Sequence, residues 1–194
     1  VSAASFPRAL AVVLGYEGGF VDDARDPGGA TCWGVTLSAL SAFRGAPCGV
    51  EDVRRLTEAE VAPLYRRDYW NAVRGDDLPV GVDLIAFDAA VNQGPGTAVR
   101  LLRQAVGAPA DGAIGPATLK AVMIAPPLAL IERLRLARLA RYRQSAGWDT
   151  FGQGWSRRVD GVAQTASAWA RPGAATGDGA KPVATVASDQ AFGG

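Results

Sequence analysis

The chain has 194 residues, 48% hydrophobic and 20% charged, enough for one sizeable core or two small ones. Its formal net charge of +1 gives no field that would recommend nucleic acid as a partner. It has no histidine, which excludes imidazole-dependent triads and His-based metal sites and leaves carboxylates, hydroxyls, amides and two cysteines to carry any chemistry.

In chain order, Ser5 to Tyr16 is predicted helical, with Phe6, Leu10, Val13 and Leu14 forming one apolar stripe. Val21 to Gly34 is predicted as loop or a short β-ribbon, broken by Asp26-Pro27-Gly28-Gly29. Thr36 is placed to cap a helix over Leu37 to Phe43. Thr57 and Glu60 form a capping box, starting a helix that should reach Trp70, with irregularity from Pro63. Leu78-Pro79 should open a helix to Gln93, apolar on nearly every side and therefore buried. Further helices are predicted over Thr97 to Val106, from Gly115-Pro116, and from Pro126-Pro127 to about Ser145. Asp111-Gly112 reads as a turn. A last helix carries the stripe Trp155, Val159, Val162, Ala166 and Trp169. The class is mostly α with little strand. The Pro/Gly/Ala-rich segment 172–194 reads as a flexible tail. No apolar run reaches the roughly 20 residues that span a bilayer, so stable membrane insertion is not expected.

One acidic residue stands out. Extending the first stripe from Val13 by four residues reaches Glu17, so this carboxylate falls on the core-facing side at the helix C-terminus. Burial and the dipole both favour its protonated form, the state a general acid needs. Gly18 and Gly19 leave room beside it. Asp22, Asp23 and Asp26 are candidates for a second carboxylate, Thr31 and Thr36 for positioning a water, and Trp33 for stacking on a sugar. A glycosidase needs this combination: an acid on the leaving oxygen, and a carboxylate or held water on the opposite face. The competing reading is an ordinary helix-end glutamate followed by an ordinary turn. A calcium loop is disfavoured because EF-hand spacing is missing.

Other residues carry two readings each. Tyr69 and Trp70 either line a sugar subsite or belong to the core. Asn92 and Gln93 either face the cleft or serve structure, whereas Asp88 is expected to pair with a buried arginine. Cys32 and Cys48 either form a disulfide, worth roughly 3 kcal/mol, or remain reduced thiols. Arg133, Arg135, Arg138, Arg141 and Arg143 read mostly as ion pairs at the core rim.

Several segments together resemble glycoside hydrolase family 108, bacterial and phage N-acetylmuramidases that are often endolysins. They are Glu17-Gly18-Gly19-Phe20, Asp26-Pro27-Gly28-Gly29-Ala30-Thr31, Trp33-Gly34-Val35-Thr36, Tyr65 to Trp70 and Phe87 to Gly94. Asp111 to Leu119 and Phe151 to Arg158 resemble the family's C-terminal predicted peptidoglycan-binding region. The likeness runs from about residue 5 to 170. It implies a lysozyme-like helical fold, a catalytic region over 1–95 and a helical peptidoglycan-binding region over 96–171. It maps the family's catalytic glutamate onto Glu17 and leaves Asp26, Thr31 and Thr36 as candidates for the second group. Cys32 departs from the polar residue expected there. The resemblance further implies a cofactor-free monomer acting on peptidoglycan glycan strands in the periplasm or cell wall, reached by export or through a holin. The alternatives are a lytic transglycosylase and a non-catalytic peptidoglycan-binding module of a phage or secretion machine.

Overall fold

The structure, a computed structural model, describes residues 5–22, 29–108 and 113–173. Asp23, Asp26, the Asp111-Gly112 turn and all but the first two residues of the expected tail lie outside the described residues. The described chain is mostly helical, with one three-stranded sheet. Its helices are α1 (Ser5–Glu17), α2 (Leu37–Arg44), α3 (Val50–Arg54), α4 (Glu58–Tyr65), α5 (Val82–Gln93), α6 (Pro95–Ala105), α7 (Pro116–Ile124), α8 (Pro127–Arg143) and α9 (Trp148–Ala170). The strands β1 (Phe20–Val21), β2 (Thr31–Cys32) and β3 (Val35–Thr36) fall in the predicted ribbon region.

The ribbon is antiparallel in the order β1-β2-β3, with Thr31 opposite Thr36 and Cys32 opposite Val35. Alternation along strands sends Cys32 and Val35 into the core and leaves the two threonines on the other face. Cys32 and Cys48 do not pair: Cys32 is buried at the strand, and Cys48 lies half-buried before α3, against Arg44 and the Ala46 carbonyl. The disulfide reading is therefore corrected to two free thiols.

Helix starts follow local chemistry. The Thr36 hydroxyl oxygen accepts from the Ala39 amide at 3.1 Å, opening α2. Glu60 Oε2 accepts from the Thr57 amide at 2.9 Å, closing the capping box of α4. The break expected from Pro63 falls after Tyr65, where the backbone widens into a π-helical turn over Arg66–Trp70. There the Asn71 amide reaches back five residues to the Arg66 carbonyl at 2.9 Å.

The α5 helix begins at Val82, not at Leu78. Gly81 takes φ 88°, and a Cβ there would collide with the Ala166 carbonyl oxygen of α9. This crossing fixes the start of α5 through a partner remote in sequence. All residues of α5 from Val82 to Ala90 are buried, against α1, α6, α8 and α9. Phe6, Trp70 and Phe87 meet edge-to-face beside it, with centroids 5.3 Å apart for Phe6–Trp70 and 5.4 Å for Trp70–Phe87. One apolar cluster runs from Phe6 of α1 to Trp169 of α9, and a smaller second one joins Leu139 and Tyr142 of α8 to Val159 of α9.

Candidate active site

Glu17 ends α1, and Gly18 turns the chain away at φ 73°. Despite its place at a helix end, the Glu17 side chain is only 2% exposed. Its Oε1 accepts from Arg158 Nη2 of α9 at 2.6 Å. On the Oε2 side stands the β2–β3 turn. A Cβ on Gly34 (φ 71°) would lie 3.2 Å from Oε2, so glycine lets the turn close over the acid. Tyr65 pins that turn: its hydroxyl donates to the Trp33 carbonyl at 2.5 Å. Trp33 itself adopts φ 47°, a left-handed conformation uncommon for a bulky residue. Tyr69 packs on Tyr65 with ring centroids 5.3 Å apart.

Behind Glu17 lies a buried chain of charges. Arg158 also donates to Asp88 Oδ1, from Nη2 at 2.8 Å and from Nε at 3.0 Å. Arg138 Nη2 donates to Asp88 Oδ2 at 2.6 Å, and Arg138 Nε reaches Gln93 Oε1 at 3.2 Å. With both carboxylates ionised the four charges cancel, two negative against two positive. Among the described residues each arginine still has one buried Nη1 without a hydrogen-bond partner.

The electrostatics follow from these contacts. Burial pushes the Glu17 carboxyl above its usual range; attraction and a hydrogen bond from Arg158 oppose this without cancelling it, and Asp88 adds an upward push. For Asp88, burial is outweighed by Arg158 and Arg138, and the carboxyl sits below its usual range. Burial raises the Tyr65 phenol, and the negative charge of Glu17 raises it further. Burial likewise raises the Cys32 thiol, which keeps it an unreactive core group.

The predicted site residues thus separate. Glu17, the Trp33–Gly34 backbone turn and Tyr69 are linked through Gly34 and Tyr65. Thr31 and Thr36 sit side by side on the ribbon, and Thr36 already spends an oxygen lone pair on capping α2. Asp22 is exposed, and Asp26 lies outside the described residues. Trp70 is corrected from a sugar platform to core: it is fully buried, and its Nε1 donates to Asp76 Oδ1 at 3.0 Å. Asn92 and Gln93 resolve toward structure, because Asn92 Oδ1 accepts from the Tyr142 hydroxyl and Gln93 holds Arg138. Arg138 is fully buried and so is no rim residue, whereas Arg135 does bridge Glu132 and Asp160 near the surface. Sequence reasoning missed Arg158 and Tyr65 as parts of the site. Arg158 left a signal: it lies three residues after Trp155 and four before Val162, on the apolar stripe of α9.

Residues 10–94 match the family model described as Glycosyl hydrolase 108. Residues 97–160 match a second model, described as Predicted Peptidoglycan domain. The solved structure of Brucella abortus SagA is similar at 42% identity and TM-score 0.78, over 90% of this chain and 100% of that one. The chain belongs to the glycosyl hydrolase 108 family. No curated protein matches it.

As a glycosyl hydrolase 108 member with a peptidoglycan domain, it is a peptidoglycan-acting protein of the glycoside hydrolase class. Glu17 comes from the first matched region and its partner Arg158 from the second, so the two regions meet at the buried ion pair. Among the described residues no group of three His, Cys, Asp or Glu side chains could hold a metal ion, and no helix is long and apolar enough to cross a membrane.

Proposed function

We propose that the chain is an N-acetylmuramidase, cleaving the β-1,4 bond between N-acetylmuramic acid and N-acetylglucosamine with Glu17 as general acid. One observation carries this reading: the Glu17 carboxyl is almost completely buried, and its single arginine contact leaves its pKa raised. Such a group holds a proton for the leaving glycosidic oxygen at a pH where an exposed glutamate would have lost it. The Trp33–Gly34 turn and Tyr69 form the lip on which a sugar ring would rest. Asp26, on the β1–β2 connection, or Thr31 then serves the opposite face by stabilising the oxocarbenium-like state or holding a water. The place of action is the periplasm or cell wall, reached by export or through a holin, and the working form is a monomer.

A lytic transglycosylase is the second reading. Among the described residues the carboxylate that acts on Glu17 is Asp88, fully buried between two arginines and so unable to activate a water, which a transglycosylase does not need. A non-catalytic module is the third. The test is mass spectrometry of soluble products from purified sacculi treated with wild type and with Glu17→Gln. Reducing muropeptides from wild type alone support the muramidase. Anhydro ends transfer the assignment to the transglycosylase, and normal release by Glu17→Gln removes Glu17 as the acid.

A further inference from the structure

The first turns of α9 carry a surface depression of about 300 Å³ lined by Trp148, Gly152, Gln153, Ser156 and Arg157. Its floor is built by a close approach. A Cβ at Gly152 would stand 2.7 Å from two atoms of the Trp148 ring, so the indole lies across the helix backbone where glycine alone leaves room. Trp148 remains half-exposed, and the Arg143 guanidinium approaches the same ring at 5.9 Å from its centroid. Ser156 donates its proton to the Gly152 carbonyl at 2.7 Å, which leaves its oxygen as an acceptor.

Along one side run Gln153 and Arg157, one helical turn apart and both exposed. Among the described residues nothing pairs with Arg157. Its natural helix partner three residues on, Asp160, is taken by Arg135 of α8 at 2.7 Å. Asp149, on the same stripe, is about 12 Å of helix away, beyond the screening length of about 8 Å at physiological salt. The depression thus offers an apolar ring face, an amide and an unpaired planar cation. A pyranose ring stacks on the first, an acetamido group bonds the second and a carboxylate matches the third.

We propose that this depression is a second glycan-holding subsite, taking a stem-bearing muramyl unit with a peptide-stem carboxylate on Arg157. The proposal rests on the peptidoglycan reading above. The subsite shares a rigid helix with Arg158, the next residue, which holds Glu17. A strand seated here is therefore indexed to the acid through α9 itself.

The test is sedimentation of the Glu17→Gln chain with purified sacculi, so that binding proceeds without digestion. Adding Arg157→Glu is expected to weaken binding at least about tenfold, the loss of one charge-assisted hydrogen bond. Adding Arg157→Lys should keep most of the affinity, because the charge remains. On sacculi whose free stem carboxylates have been converted to amides with a carbodiimide and ammonia, Glu17→Gln and its Arg157→Glu derivative should bind alike. Equal binding of the two on intact sacculi overturns the proposal, and so does a loss that persists undiminished on the amidated sacculi. Digestion by the wild-type chain is read separately. Released sugar with no Arg157 effect removes the subsite and leaves the hydrolase; an Arg157 effect with no released sugar does the reverse.

Discussion

The start and the middle of α5 each bury an aspartate, and the two are driven in opposite directions. Asp83, in the first turn, is held by neutral donors: the Gly81 and Leu84 amides at 2.7 Å and the Ser5 hydroxyl. Burial pushes its carboxyl up, and these donors with the attraction of Arg8 do not undo the push. Asp88, five residues on, is gripped by two guanidiniums, and its carboxyl is held low in spite of deeper burial. The difference shows what decides the state of a buried acid here: two guanidiniums together outweigh desolvation, and neutral donors do not. Glu17 lies between these cases. It has one guanidinium, shared with Asp88, and stays raised. The same arginine pulls both carboxyls down: together with Arg138 it outweighs burial at Asp88, and alone it does not at Glu17.

The largest way to break this contrast is Asp88→Asn. It leaves Arg138 and Arg158 as buried cations facing a neutral amide, and removing one partner of such a pair costs about 3–5 kcal/mol. A lower midpoint in urea unfolding checks it, and an unchanged midpoint would mean that water already solvates both arginines. Next in size is Glu17→Gln, expected to lower sacculus hydrolysis by about 10²–10⁴-fold, the usual worth of a general acid. In wild type the active form of Glu17 is protonated. Activity should therefore fall as pH rises through its elevated pKa, above the usual carboxylate range, and a pH–rate profile reads this directly.

Tyr65→Phe sharpens the comparison from the other side of Glu17. It removes the hydroxyl that ties down the Trp33–Gly34 turn, at a stability cost of about 1 kcal/mol. If the turn positions substrate against the acid, kcat falls by up to about 10²-fold, the penalty for a displacement near 1 Å. Matched melting and rate measurements on the variant separate the two effects. A rate that falls only in step with stability would make the tyrosine a strut and nothing more.

Much of this was legible in the sequence, and the limits have physical reasons. The stripe through Phe6, Leu10 and Val13 placed Glu17 inward, and the Thr36 and Thr57 caps located two helix starts, because each depends on residues within one or two turns. The start of α5 was misread from Leu78-Pro79, since it is set by Ala166 pressing on Gly81 across 85 positions of sequence. Trp70 kept two readings, sugar platform or core, because periodicity cannot distinguish an aromatic at a lip from one packed against Phe6 and Phe87. The charge chain was half visible: Asp88 was expected to meet an arginine, and both Arg138 and Arg158 sit on apolar stripes. What no local pattern states is that one guanidinium would serve Asp88 and Glu17 together, which depends on α1, α5 and α9 meeting at one point.

The smallest expected effect is also the most discriminating. In Asp83→Asn, the amide oxygen can still accept from Gly81 and Leu84, and the amide nitrogen can donate to the Ser5 oxygen, so every partner is kept and only Ser5 changes from donor to acceptor. What the substitution removes is ionisation. Because the folded pKa of Asp83 lies above its unfolded value, the native state binds this proton more tightly than the unfolded state does. The associated stability is complete at pH below the unfolded pKa and is lost as pH rises through the folded pKa. The asparagine variant carries no such loss. Relative to wild type it should be near neutral in acid and gain in melting temperature as pH rises past the carboxylate range, whereas Asp88→Asn should lose stability most where wild-type Asp88 is fully ionised. Thermal melts of the two variants over one pH series should therefore diverge as pH rises. Curves that run parallel would mean that Asp83 is already ionised at low pH, and that its neutral donors stabilise charge as well as the guanidiniums of Asp88 do.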